Sequence, residues 1–146
     1  MYSVGIDPGK KGAIAWLWNG EFCNSAPMTK DNLLDIIEAL MATGEPVRVC
    51  LEKVHAMPNQ GSVSMFTFGE GYGYIKGVLD TLHVPYQEIH PQKWKKEFSL
   101  SKDKAESIEV CKQLFPTANL RPDRARKDQD GIAEAILMAE YARRKL

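Results

Sequence analysis

Four acidic side chains stand where a carboxylate is useful for chemistry and awkward for structure. Asp7 closes an alternating strand just before a Pro8-Gly9 break, and Glu52 lies near the end of a second strand-like run, Val47–Glu52. Asp130 and Glu134 are four residues apart, so on a helix they share a face. Two like charges at that spacing destabilise a helix by roughly a few tenths of a kcal/mol unless something compensates them. Glu134 also interrupts an apolar run from Gly131 to Ala139, and a carboxylate on a helix packed nearly all round needs a cation beside it. Ordinary roles exist for three of the acids. Asp7 suits a turn, Glu52 suits an edge-strand charge paired with a lysine, and Asp130 complements a helix N-terminus. Glu134 has no such explanation. Together they are hard oxygen ligands of the kind Mg²⁺ takes, with Mn²⁺ as its substitute. Two such ions can activate water and stabilise the leaving oxygen of a phosphodiester.

The elements that must position these acids are legible in the pattern. Val4 and Ile6 alternate with Ser3, Gly5 and Asp7, which predicts a strand with one apolar and one polar face. Asn19-Gly20 between Ala13–Trp18 and Glu21–Asn24 predicts a hairpin, because both turn positions want positive φ. Thr29 caps a helix that stops near Gly44, Val47–Glu52 is a strand, and His55–Gly61 is a loop into a helix reaching about Leu82. Val84–Ile89 reads as a short strand that Pro85 keeps from a central position. Helices over Ser101–Phe115 and about Asp128–Arg144 follow, separated by a polar loop over 117–127. The order β-β-β-α-β-α-β-α-α, antiparallel first and parallel later, predicts one α/β domain over residues 1–146 with a mixed five-stranded sheet and helices on both faces.

Composition sets limits on function. The chain has 146 residues, 44% apolar and 26% charged, as expected of an ordinary globular domain rather than a disordered one. No apolar run approaches the roughly 20 residues that cross a bilayer, so no membrane partner is expected. Three cysteines lie far apart with no CxxC pair, which points to a reducing, cytoplasmic setting without disulfides or structural zinc. The zero net charge hides an asymmetry. Residues 1–90 carry 6 basic and 10 acidic side chains, a net of −4, and residues 91–146 carry 13 and 9, a net of +4. An acidic site served by a cationic C-terminal surface fits that split; non-specific coating of nucleic acid does not.

Gly5-Ile6-Asp7-Pro8-Gly9 followed by Gly12, then Leu51-Glu52-Lys53-Val54-His55, then Asp130-Gly131-Ile132-Ala133-Glu134-Ala135, resemble the three acidic blocks of the RuvC-type Holliday junction resolvases. The resemblance covers nearly the whole chain. His90-Pro91 with Trp94-Lys95, and Ile132–Arg144, look most like compact phage-encoded members. It implies an RNase H-like fold and a homodimeric endonuclease with two Mg²⁺ ions per active site, cutting four-way DNA junctions by paired incisions. Asp7 would bridge both ions, Glu52 would bind one, and Glu134 would take the last acidic position, where aspartate is usual. Asp130 lies four residues before it, whereas many bacterial members place an acid or histidine three before, where Gly131 stands here. Asp130 and Asp128 both remain candidates for the third ligand, and helical phase favours Asp130.

Basic and loop residues complete the candidate site. Lys127, entering the acidic helix, is the cation expected nearest the reacting phosphate. Lys10 and Lys11 follow the Pro-Gly turn, Lys93, Lys95 and Lys96 surround Trp94, and Arg124 and Arg126 precede Lys127; all are candidate DNA contacts, and Trp94 itself reads as core. In the family an aromatic after the second acid stacks on bases at the junction centre; the matching place here is His55, with Met57 close by. Phe66 and Phe68 read as helix-packing residues. Gly69, Gly73 and Gly77 recur on one helix face, which suggests close approach of the chain's own sheet by default, or of a twin helix in a dimer. Competing functions are an RNase H-like nuclease acting on flaps, forks or RNA, and a non-catalytic phosphate- or DNA-binding module. A sugar-kinase-type ATPase would need a second, similar domain, so no nucleotide cofactor is expected.

Overall fold

The computed structural model describes residues 1–146. The elements are β1 (Tyr2–Ile6), β2 (Ala13–Trp18), β3 (Glu21–Pro27), α1 (Lys30–Ala42), β4 (Val47–Glu52), α2 (Ser62–Thr81), β5 (Tyr86–Ile89), α3 (Pro91–Glu97), α4 (Lys104–Leu114) and α5 (Asp130–Lys145). The sheet order is β3-β2-β1-β4-β5, antiparallel through β1, β2 and β3 and parallel through β1, β4 and β5. The mixed five-stranded sheet of one α/β domain is therefore as expected. Asn19 and Gly20 hold the hairpin turn at φ 49° and 87°. The Thr29 hydroxyl accepts from the Asn32 amide at 3.1 Å and caps α1. β5 starts after Pro85, on the sheet edge.

Each face of the sheet carries its own apolar core. Val4, Ile6, Ile14, Val49 and Leu51 pack with Leu33 and Ile37 of α1 and Ile75 and Leu79 of α2. On the other face Ala13, Ala15, Leu17 and Cys50 pack with Trp94 of α3, Cys111 of α4 and most of α5. The expected polar face of β1 is thus not solvated: Ser3 and Gly5 lie buried beneath α5. A methyl at Gly5 would collide with the Ala135 carbonyl, so glycine there lets α5 settle directly on the strand. No helix is long and apolar enough to cross a membrane.

Three expectations change. A seven-residue helix, α3, occupies the segment after His90, started by Pro91 at its first turn. The glycine face of α2 does not meet the chain's own sheet, because a Cβ at Gly69, Gly73 or Gly77 would have nothing within 4 Å. Phe66 is not a packing residue of this chain: it is 73% exposed, while Phe68 is half-buried. The helix buries only Ile75 and Leu79, on the side opposite those glycines.

Gly5→Ala is expected to lose about 1–3 kcal/mol of stability or more, since the clash is with helix backbone that cannot rotate away. Gly71→Ala, where an added methyl meets nothing within 4 Å, should gain up to about 1 kcal/mol. Urea denaturation of both variants checks the contrast.

Candidate active site

β1 and β4 are adjacent and parallel, so their C-terminal ends emerge side by side, delivering Asp7 and Glu52 to one edge of the sheet. The Asp7 Oδ1 accepts from the Gly9 amide at 3.0 Å, which turns the chain away and fixes the carboxylate. Glu52 is not an edge-strand charge paired with a lysine: β4 is an inner strand, and its Oε2 accepts from the buried Trp94 indole N–H at 2.9 Å. Trp94 is core, as read from the sequence, but it also orients a candidate ligand, a role that no local pattern signals.

The start of α5 lies over this edge. Gly131 approaches so closely that an added Cβ would lie 2.5 Å from the Lys11 carbonyl oxygen and 3.7 Å from Asp7 Oδ2. A glycine is therefore required at that place, and a ligand side chain there would not fit. One turn further on, Glu134 is buried, with Lys95 Nζ at 4.0 Å from its Oε1. Asp130 is half-exposed and paired with Lys104 Nζ at 2.9 Å. Asp128 points elsewhere, held by Lys112 at 2.6 Å and Arg121 at 2.9 Å.

The electrostatics follow from burial. Desolvation raises the Asp7 pKa, with the neighbouring Asp130 adding to it and Lys104 and Lys95 opposing it. Desolvation likewise raises Glu52, helped by the Asp7 charge and countered by the Trp94 hydrogen bond. Glu134 moves furthest, to about 7, through burial first and then the charges of Asp7 and Glu52. Asp130 also loses hydration, but its hydrogen bond and ion pair with Lys104 outweigh this and lower its pKa. Lys95, a candidate DNA contact by its sequence, thus stands beside the acidic cluster, and the exposed Lys104 reaches it from the start of α4.

Glu140, six residues along the same helix, shows the ordinary way to bury an acid. It accepts from Arg143 at 2.5 and 2.7 Å and from Arg144 at 3.0 Å. Glu134 has only the long contact to one lysine. No three acidic side chains converge tightly enough to form a ready-made ligand cluster. The donor set nevertheless fits a hard divalent cation: all oxygen, mutually repelling, and short of positive charge.

The other candidates distribute around this centre. His55 and Met57, both exposed, line a pocket of about 230 Å³ together with Glu52, Gln60 and Phe68. Lys10 borders a groove of about 670 Å³ between the Pro8-Gly9 turn and the first half of α2. Lys95, Lys96 and Lys102 line another, of about 630 Å³, beside α3. Lys127 adds to the field at Asp130. Lys11, Lys93, Arg124 and Arg126 are exposed, and none of them has an ion-pair partner. Arg124 follows Asp123 in a 3₁₀ turn where both take positive φ, 62° and 55°.

A carboxyl with a higher pKa in the folded chain takes up a proton on folding, here between about pH 4.5 and 7 for Glu134. Stability contributed by that proton is lost as pH rises through the window. In chelator, Glu134→Gln is therefore expected to be more stable than the parent at pH 8, on the order of 2–3 kcal/mol, with the difference closing by about pH 5. Urea denaturation at both pH values checks this; an equal effect at each would contradict a buried charge at Glu134.

No protein-family model matches the sequence, and no curated protein matches it. Solved structures do match, by shape. Thermus thermophilus RuvC in complex with Holliday junction substrate aligns at a TM-score of 0.66 and 14% identity, covering 99% of this chain and 96% of that one. A second Thermus thermophilus RuvC structure aligns at 0.62 and 16% identity, with the same coverage. The chain thus has the fold of RuvC from end to end, with the acids of β1, β4 and α5 gathered at one edge of the sheet.

Proposed function

We propose that this chain is a metal-dependent endodeoxyribonuclease that resolves four-way and related branched DNA junctions as a homodimer. The observation that carries the reading is the acidic group of buried Glu134 with half-buried Asp7 and Glu52, each raising the next one's pKa, short of counter-charge and set in a RuvC fold. The structural neighbour was solved with a Holliday junction substrate, which supports branched DNA as the ligand class.

Asp7, Glu52 and Glu134, with Asp130 as the fourth acid, would hold Mg²⁺ or Mn²⁺, two ions in all. Asp130 rather than Asp128 takes this role: its charge acts on Asp7 and it stands one turn before Glu134, whereas Asp128 acts on neither and is held by Lys112 and Arg121. Held by these carboxylates, such ions would contribute activation of a water at neutral pH and charge stabilisation at the leaving oxygen. The protein does the rest. Trp94 fixes the Glu52 carboxylate, and the Gly9 amide fixes that of Asp7. Lys95 and Lys104 balance part of the acidic charge in the absence of metal, and Lys127, whose charge acts on Asp130, would face a phosphate oxygen. The grooves bordered by Lys10 and by Lys95 and Lys96 accept the flanking backbone, with Lys11, Lys93, Arg124 and Arg126 along the approach. His55 and Met57 sit beside Glu52, where unstacked bases at a branch point would reach them.

Asp7→Asn and Glu134→Gln are each expected to lower Mg²⁺-dependent cleavage of a synthetic four-way junction by at least about 10³-fold while leaving junction binding in chelator within a few-fold. Assays on four-way, forked, flap and linear duplexes, with and without Mg²⁺, check both substrate class and metal. Unimpaired cutting by either variant would remove the proposed site, and preference for flaps or RNA would favour a different nuclease on the same fold.

A further inference from the structure

Between α4 and α5 the chain closes on itself. The Gln129 amide donates to the Leu120 carbonyl at 2.8 Å, and Leu120 is buried in the core shared with α5. Beside that bond Asp128 has one cation on each carboxylate oxygen. Arg121 Nε meets Oδ1 at 2.9 Å from the loop's own start, and Lys112 Nζ meets Oδ2 at 2.6 Å from α4. The Gln129 side-chain amide donates to the Lys127 carbonyl at 3.2 Å. Residues 120–129 thus form a compact loop with its ends together, a construction that often carries function.

The loop divides its cations. Arg121 is neutralised at the base, whereas Arg124, Arg126 and Lys127 are exposed and have no ion-pair partner. The Lys127 charge acts on Asp130. At the tip Asp123 and Arg124 hold positive φ, 55° and 62°, although neither is glycine. Such backbone is unfavourable and persists where its surroundings dictate it. Isolated surface ion pairs would dictate little. Asp128 differs, because its side chain is only 17% exposed and joins the start of the loop, its end and α4.

We propose that Asp128 is a positioning residue: by drawing Arg121 and Lys112 onto one carboxylate it fixes the loop, so that Lys127, flanked by Arg124 and Arg126, faces a phosphate at the acidic cluster. A loop ordered beforehand loses less freedom when the anion arrives. The proposal rests on the nuclease reading for the identity of that anion, and it gives Asp128 a role other than metal ligation.

Three roles for Asp128 part at Asp128→Asn. A metal ligand predicts weaker Mn²⁺ binding, and charge alone predicts tighter DNA binding with no change in the loop. Positioning predicts a released loop with Mn²⁺ affinity unchanged. Limited trypsin digestion, read by mass spectrometry, is expected to cut after Arg124, Arg126 and Lys127 about 10-fold faster than in the parent, as loss of charge-assisted contacts implies. Lys112→Met should also speed cutting there, and the double variant should be no faster than Asp128→Asn alone, because both changes open one clamp. Cleavage of a four-way junction should slow severalfold in Asp128→Asn, and no further where Lys127 is already replaced by methionine. Weakened Mn²⁺ binding, an unchanged tryptic pattern, or losses that multiply in the Lys127→Met background would each overturn the proposal. If the parent cuts no branched DNA while Asp128→Asn still releases the loop, the nuclease reading fails and the clamp stands.

Discussion

The close seating of α5 on the sheet is the constraint on which the site depends. Two glycines permit it, Gly5 under the middle of the helix and Gly131 at its first turn against the Lys11 carbonyl. With any side chain at either place the helix would lift, and Glu134 would leave the neighbourhood of Asp7. The same seating buries nearly the whole of α5, which is why an acid on it matters. Position and penalty thus have one origin: the packing that brings Glu134 to the strand ends is the packing that strips its water.

The two buried acids of α5 make the consequence visible. Glu140 is neutralised by Arg143 and Arg144 and is a structural ion pair. Glu134 shares its helix and its burial but faces Asp7 and Glu52 instead, so a neighbour that would stabilise one charge is replaced by two that oppose it. Lys95 and Lys104 offset only part of that opposition. Such a site favours whatever brings concentrated positive charge, and oxygen-only donors select hard divalent ions over softer ones. A fold that keeps this imbalance gives up stability at the cluster, a pattern common at active sites.

Most of this architecture was legible in the sequence because it rests on local signals. Asn19-Gly20 fixes a hairpin, Thr29 a helix start, and the Asp130/Glu134 spacing a shared face, each by short-range physics. Glu134 stood out for the same reason, as one charge in an apolar run. What was missed is long-range. Trp94 reaches Glu52 across 42 residues, and Lys104 reaches Asp130 across 26, and nothing near either residue announces its partner. The glycines of α2 mark a face by their period, but periodicity does not say what lies opposite, and the chain's own sheet does not lie there. The short α3 escaped because seven residues hold too few turns for a period to show.

The central claim is that the Asp7, Glu52 and Glu134 cluster is a divalent-cation site. Calorimetric titration of Mn²⁺ into the parent and into Asp7→Asn, at pH 6 in two buffers of different ionisation enthalpy, tests it most directly. The expected result is saturable binding to the parent with release of about one proton, since the carboxyl of Glu134 must ionise to ligate, and weak or absent binding to Asp7→Asn. Saturable binding that is unchanged by Asp7→Asn, or no binding by the parent, would contradict the account.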